Sequence, residues 1–213
     1  MRTILKALTL TGLCSLGALA LPAQAGVVLF QDNFDSDSVS ASLNFNSFTN
    51  WTVSNGTVDY IRAPNGWGID CVAGCVDIDG STGNSGVMTS RTSFNLLATN
   101  TYKLSIDISG NQRTQSLENV RIGLLDLVSF DFTDIAAGDI FTTYSGLFTN
   151  IAGLASIFID TTSNDNIGAI LDNVVLECVS CQPASVPEPG MLGLMGLGLL
   201  GMGVARKRKA ASK

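Results

Sequence analysis

Between residues 26 and 185 apolar and polar residues alternate with a period of two, and no apolar stripe of helical spacing runs for a useful length. In Tyr102-Lys-Leu-Ser-Ile-Asp-Ile108 the even positions are apolar and the odd ones polar. Such a strand buries one face and wets the other. The same period predicts strands at Trp51 to Ser54, Thr57 to Ile61, Val120 to Leu125, Ile140 to Phe148, Leu154 to Asp160 and Ala169 to Glu177. Asn55-Gly56 lies between the first two and has the chemistry of a two-residue turn, so those two strands are expected to form a hairpin. Loops rich in Gly, Asn, Ser and Asp separate the segments, notably at 79–86 and 161–168. About ten short strands with frequent turn signals predict an all-β fold, an antiparallel β-sandwich.

The two ends break the pattern. Arg2 and Lys6 precede an apolar stretch from Ala7 to Leu21, and Ala23-Gln24-Ala25 follows with small residues at the spacing of a signal-peptidase site. Residues 1–25 are therefore expected to be a signal helix that is removed, leaving Gly26 as the mature terminus. Cys14 sits inside the apolar region after Leu13 and is read as filler. At the other end Pro187 and Pro189 lack backbone donors and keep the preceding residues extended, so Val186-Pro187-Glu188-Pro189 is expected to be accessible. The run 190–205 carries no charge, and at a rise of about 1.5 Å per residue its length is about 24 Å. That is short of the ~30 Å hydrocarbon core and suits a temporary transmembrane helix. Arg206-Lys-Arg-Lys209 closes it, and a basic cluster stays cytoplasmic. The expected organisation is a signal peptide at 1–25, a sandwich domain at 26–181, a linker at 182–189, a membrane helix at 190–205 and a basic tail at 206–213.

Charge divides along these borders. The whole chain is −6, whereas residues 26–185 hold five Lys and Arg against 17 Asp and Glu, which leaves −12. An acidic core argues against a nucleic-acid partner, whose phosphates it would repel, and is compatible with cation binding. The chain has no histidine, which removes Ser-His-Asp and Cys-His catalysis and imidazole zinc sites. Outside the signal segment there are four cysteines, Cys71, Cys75, Cys178 and Cys181. An even count in an exported chain predicts disulfides. Local pairs are the simplest arrangement; cross-links between the two halves and a four-cysteine zinc site remain open alternatives.

A rigid break at Val186 to Pro189, a short apolar run and a basic stop resemble the PEP-CTERM sorting tail of exported bacterial proteins. That resemblance implies an exosortase-type membrane enzyme as processing partner, transient anchoring in the inner membrane, and a final place at the cell surface or outside it. A second resemblance covers most of the core. Gln31-Asp-Asn-Phe-Asp35, Asn50 to Tyr60, Val76 to Gly83, Ile108 to Gln112 and Leu171-Asp-Asn-Val174 look like the jelly-roll domains common among PEP-CTERM proteins, which are similar to galactose-binding-like folds and carbohydrate-binding modules. In those folds an acid near the first strand and an aspartate near the last share a structural calcium, which implies Asp35 and Asp172 here, with Asp77, Asp79 or nearby carbonyls as further oxygen ligands.

Sugar recognition needs exposed rings beside amides and carboxylates. Trp67, in the glycine-rich Pro64-Asn-Gly-Trp-Gly68, is the candidate platform; Trp51 opens an alternating strand and is expected in the core. The expected function is a non-catalytic surface or matrix protein associated with exopolysaccharide. The alternative, a hydrolase of matrix glycans, needs two carboxyls about 5 to 9.5 Å apart across a groove. Mass spectrometry of the mature protein from the producing cells should find Gly26 at one end and a terminus near Val186 to Pro189 at the other. An intact Lys213 in the surface fraction would contradict the processing.

Overall fold

A computed structural model describes residues 26–114 and 116–181; the expected signal and membrane helices lie outside them. Eleven antiparallel strands form two sheets among the described residues. In the first, β3 (Asp59–Ile61), β4 (Cys75–Asp77), β11 (Ile170–Cys178), β6 (Thr101–Ser109) and β9 (Thr142–Thr149) lie in that order, and β1 (Val27–Asp32) also pairs with β11. The second runs β2 (Trp51–Ser54), β5 (Val87–Leu96), β10 (Gly153–Asp160), β7 (Leu117–Leu124) and β8 (Val128–Ala136). The expected antiparallel sandwich is thus the observed fold.

The alternation places the core where the period says it should be. On β6, Tyr102, Leu104, Ile106 and Ile108 are all buried, and on β7 so are Val120, Ile122 and Leu124. An aromatic cluster fills one side of the interior: the Phe30 ring stands edge-on to Trp51 at 5.4 Å, and Phe45 edge-on to Phe48 at 4.7 Å. Trp51 is fully buried, as expected, and its indole N–H donates to Asp32 Oδ2 at 2.8 Å. The polar edge of a buried indole needs such an acceptor.

β11 organises the first sheet. One of its edges pairs with β6 along its length, and the other is shared, with Ile170 and Leu171 opposite β4 and Val174 to Cys178 opposite β1. Between these halves the β6 register shifts from Asp172 to Val175, and Asn173 has a positive φ of 49°. A short polar side chain tolerates that conformation at a bulge. The strand therefore bends where it changes partner.

The expected hairpin at Asn55-Gly56 does not form. β2 pairs with β5 and β3 with β4, so the turn carries the chain from one sheet to the other. Asn55 has the positive φ, 58°, that such a turn demands, but the backbone beyond it bonds to the 80–86 loop. Thr57 N–H donates to Asn84, and the N–H groups of Gly80 and Gly86 donate to the Thr57 carbonyl. Burial of Trp51 on one side and of Val58 and Tyr60 on the other decides the partners. Strand limits also moved: Ile140 and Phe141 precede β9 instead of opening it.

β5, the longest strand, escaped the alternation because its centre reads Thr89-Ser-Arg-Thr-Ser93. Ser90 is nonetheless buried, with its hydroxyl donating to the Thr92 carbonyl and accepting from Ile157 N–H. Both expected local disulfides are present, Cys71–Cys75 and Cys178–Cys181. That arrangement excludes the four-cysteine zinc site and the cross-link between halves.

A Cβ at Gly56 would overlap the carbonyl oxygens of Asn84 and Ser85, whereas one at Gly66 would meet nothing within 4 Å. Gly56→Ala should therefore destabilise the domain by about 1–3 kcal/mol and Gly66→Ala should leave it within about 0.5 kcal/mol of the parent. Urea midpoints of the two variants test this.

Candidate functional site

The loop between β3 and β4 builds one wall of a surface trough. It leaves β3 through Arg62, passes a cis Ala63–Pro64 bond and folds around Asn65. The Asn65 side chain donates to the Ile69 carbonyl at 2.8 Å and accepts from the N–H groups of Trp67 and Ile69. A single amide thus satisfies three backbone groups and holds a short loop without regular structure. Beneath it Ile61, Ile69, Cys71, Cys75 and Ile170 form a second apolar cluster, separate from the main core, on which Trp67 and Phe141 pack half-buried.

Two adjoining depressions share Asp70 and Phe141. The larger, about 550 Å³, runs along Gln112, Arg113 and the 136–141 segment. The smaller, about 340 Å³, is lined by Asn33, Asp35, Cys71, Asp172 and Asn173 among others. One aromatic ring, three amides, an arginine and several carboxylates therefore face the two adjoining depressions. Trp67 is fixed beside it on the same apolar cluster, outside the residues that line either depression.

Asp35 and Asp172 meet in the smaller depression, although 137 positions apart in the chain. The Asp172 carboxyl is pushed up to about 6, chiefly by burial, and further by the charges of Asp35, Asp107 and Asp32; the Asn173 N–H, donating to it at 2.7 Å, pulls the other way. Two of those neighbours are already committed. Asp32 accepts from Phe34 N–H, Asn50 and Trp51, and Asp107 accepts from Thr143 and Asn173. Asp35 accepts from the Asn33 amide at 2.7 Å. Among the described residues no group of three or more Cys, Asp or Glu stands close enough to hold a metal ion.

Asp77 and Asp79 do not join this pair. Both are fully buried and act as anchors for loops. Asp77 Oδ1 accepts from Asp79 and Gly168 N–H, and its other oxygen pairs with Arg113. Asp79 Oδ2 accepts from Asp165 and Asn166 N–H. Burial pushes the Asp77 carboxyl up to about 7 against the pull of Arg113 and those two N–H donors. The Arg113 guanidinium at the trough wall is thus positioned by Asp77, and the 161–168 loop is tied down by carboxylates buried beside it.

Sequence patterning does not single out Phe141, Asp70 or Gln112. Phe141 falls inside the segment expected as a strand, and only its place on the second apolar cluster turns it toward the trough. Gln112 has a positive φ of 59° and its side-chain carbonyl accepts from Asp70 N–H at 2.7 Å, joining two loops that are distant in sequence. The one local signal was the Gly-Asn-Gln turn after β6. Of the glutamates, Glu118 is buried and held by Asn111 and Ser116, away from the trough.

Solved structures with similar folds include the CBM22-1–GH10 modules of endo-1,4-beta-D-xylanase 10B from Clostridium thermocellum, at 16% identity and a TM-score of 0.46, covering 76% of this chain and 30% of that one. The CBM22-1 xylan-binding domain from Paenibacillus barcinonensis Xyn10C is similar over 75% of this chain and 99% of its own, at 13% identity and a TM-score of 0.45. A carbohydrate-binding module of a Cellvibrio mixtus lichenase matches 70% of this chain and 97% of its own, at 11% identity and a TM-score of 0.37. Comparison with curated proteins gave no match. The tail is specific where the core is not: residues 185–209 match the PEP-CTERM protein-sorting motif, and this chain carries that motif.

Proposed function

We propose that this chain is a non-catalytic exported protein, held transiently in the inner membrane by its tail, cut by an exosortase-type enzyme at Val186 to Pro189, and displayed at the surface, where its trough binds exopolysaccharide. The sorting motif at 185–209 carries this reading. The trough supports its second half. Pyranose faces are apolar and their rims bear hydroxyls, so a glycan site pairs a ring with amides and carboxylates, the set that Phe141, Gln112, Asn33, Asp70 and Asp139 supply. Trp67, held beside the trough, extends the apolar surface on which a longer chain would rest.

Calcium at Asp35 and Asp172 is the finer part of the proposal. Its support is the Asp172 carboxyl, raised partly by neighbouring negative charge that a cation would offset. Two carboxylates supply at most four of the roughly six to eight oxygens that calcium takes, so carbonyls or water must provide the rest. A specific observation also favours the hydrolase alternative: a raised carboxyl, Asp172, opposite a second one, Asp35, in one hollow is the pattern of an acid paired with a base.

Two experiments address these readings. On immobilised exopolysaccharide of the producing cells, Phe141→Ala should weaken retention of the 26–185 fragment by about tenfold and Trp67→Ala by less, since a stacked ring contributes on the order of 1 kcal/mol. No retention of the parent would remove the glycan reading, and release of sugar by the parent but not by Asp172→Asn would establish the hydrolase instead.

The second is a pH series. Between pH 4 and about 6 folded Asp172 keeps a proton that the unfolded chain has released, so its contribution to stability is full at acid pH and is lost as pH rises to about 6. Asp172→Asn should flatten that fall and raise the melting temperature at pH 7.5. Calcium should raise the melting temperature of the parent but not of this variant; equal melts of the parent in calcium and in chelator would count against the site.

A further inference from the structure

The sandwich has two unlike poles. β11 runs from Ile170 at one to Cys178 at the other. Register places Val27 and Tyr102 beside Cys178, Thr149 beside Thr101, and Gly153 beside Leu96. The second pole therefore gathers the start of β1, the Leu97–Asn100 and Asn150–Ala152 turns, and the Cys178–Cys181 disulfide from which the chain leaves for its tail.

Exposed apolar side chains ring this pole: Leu154 is 72% exposed, Leu147 64%, Leu97 53% and Val28 51%. They stand where charge is sparse. Glu177 lies there opposite Lys103, and Asp126 sits on the nearby β7–β8 turn, while Asp32 and Asp37 are at middle height and the other carboxylates lie toward the first pole. Val72, Ile140 and Leu117, also exposed, are at the acidic end, Val72 and Ile140 beside Asp70 and Asp139 at the trough and Leu117 opposite Ala136 of its wall.

The tail decides which pole can meet a membrane. Eight residues, 182–189, separate Cys181 from the apolar run 190–205. Fully extended they reach at most about 29 Å. The nine residues of β11 span about 30 Å. To bring the acidic pole to the bilayer, the linker would have to run nearly taut along the whole sandwich and press carboxylates against anionic lipid. The leucine-bearing pole is within reach with the linker slack.

We propose that the pole formed by Val28, Leu97, Leu147 and Leu154 is a membrane-facing surface, resting on the phospholipid headgroup boundary in the tail-anchored form and holding the acidic trough outward. The inference rests on the anchoring stage of the proposed function. Four scattered side chains bind lipid weakly alone, but a tether that keeps them within about 30 Å of the bilayer raises their effective concentration enough for contact. Removal of the tail removes that advantage, so the same cut that frees the chain also releases the pole.

The test uses the full chain in vesicles of phosphatidylethanolamine and phosphatidylglycerol that contain a photoactivatable phospholipid. Peptides bearing Leu97, Leu147 and Leu154 should be labelled about fivefold or more above those bearing Val72 and Ile140, and Leu147→Ser with Leu154→Ser should reduce labelling of the Leu97 peptide to near that background, with an unchanged melt confirming the fold. Equal labelling of both poles, or none at either, would overturn the proposal. Flotation of the vesicles in alkaline carbonate reports the anchor separately. Protein that floats without polar labelling sinks this inference alone, and protein that does not float sinks the anchoring reading and this inference with it.

Discussion

The ladder of β11 is the constraint from which the rest of the molecule follows. One edge of that strand is given wholly to β6, and the other is divided between β4 and β1. Between the two partners the strand bends, at Asp172–Val175 with Asn173 in the left-handed region. The smaller depression lies beside this bend and the end of β1, with Asp172, Asn173 and Asn33 in its lining. The 62–74 loop and the 136–141 segment supply other parts of the trough wall. The candidate site thus adjoins the point where the central strand changes partner.

Carboxylates do two kinds of work in this acidic domain. Asp32, Asp77 and Asp79 are buried and spent on internal donors: the Trp51 indole, the Arg113 guanidinium, and the backbone of the 161–168 loop. A single carboxylate accepts several N–H groups at once, which makes it an efficient anchor for loops that lack regular structure. Asp35, Asp70, Asp139 and Asp172 instead face the hollow, with Arg113 as the cation in its lining. The concentration of negative charge at this end leaves the opposite pole nearly neutral and leucine-bearing, next to the point where the chain departs for its sorting tail.

Much of the fold was legible in sequence. Strands at Tyr102 to Ile108, Leu154 to Asp160 and Ala169 to Glu177 show their buried faces directly, because a period of two records which face meets water. β5 hid because its buried position is a serine, tolerated through hydrogen bonds that only its neighbour β10 supplies. The Asn55-Gly56 turn was recognised as a turn but misjudged as a hairpin. Turn chemistry reports the local backbone angle, not the sheet that each flanking strand will join. At the site, Asp35 and Asp172, implied by the jelly-roll resemblance, do meet in one depression, whereas Phe141 and Asp70 carry no local signal and Gln112 only that of a turn.

By itself the sequence determined the strand period, the even cysteine count of the domain and the sorting motif of the tail, since each is written in neighbouring residues. Only the tertiary structure decided that the cysteines pair locally, that Asp77 and Asp79 anchor loops instead of joining Asp35, and that one ring, three amides and a group of carboxylates line two adjoining depressions. Those outcomes depend on which strands lie side by side. That choice is made by burial summed over the whole core, a quantity that no short stretch of chain contains.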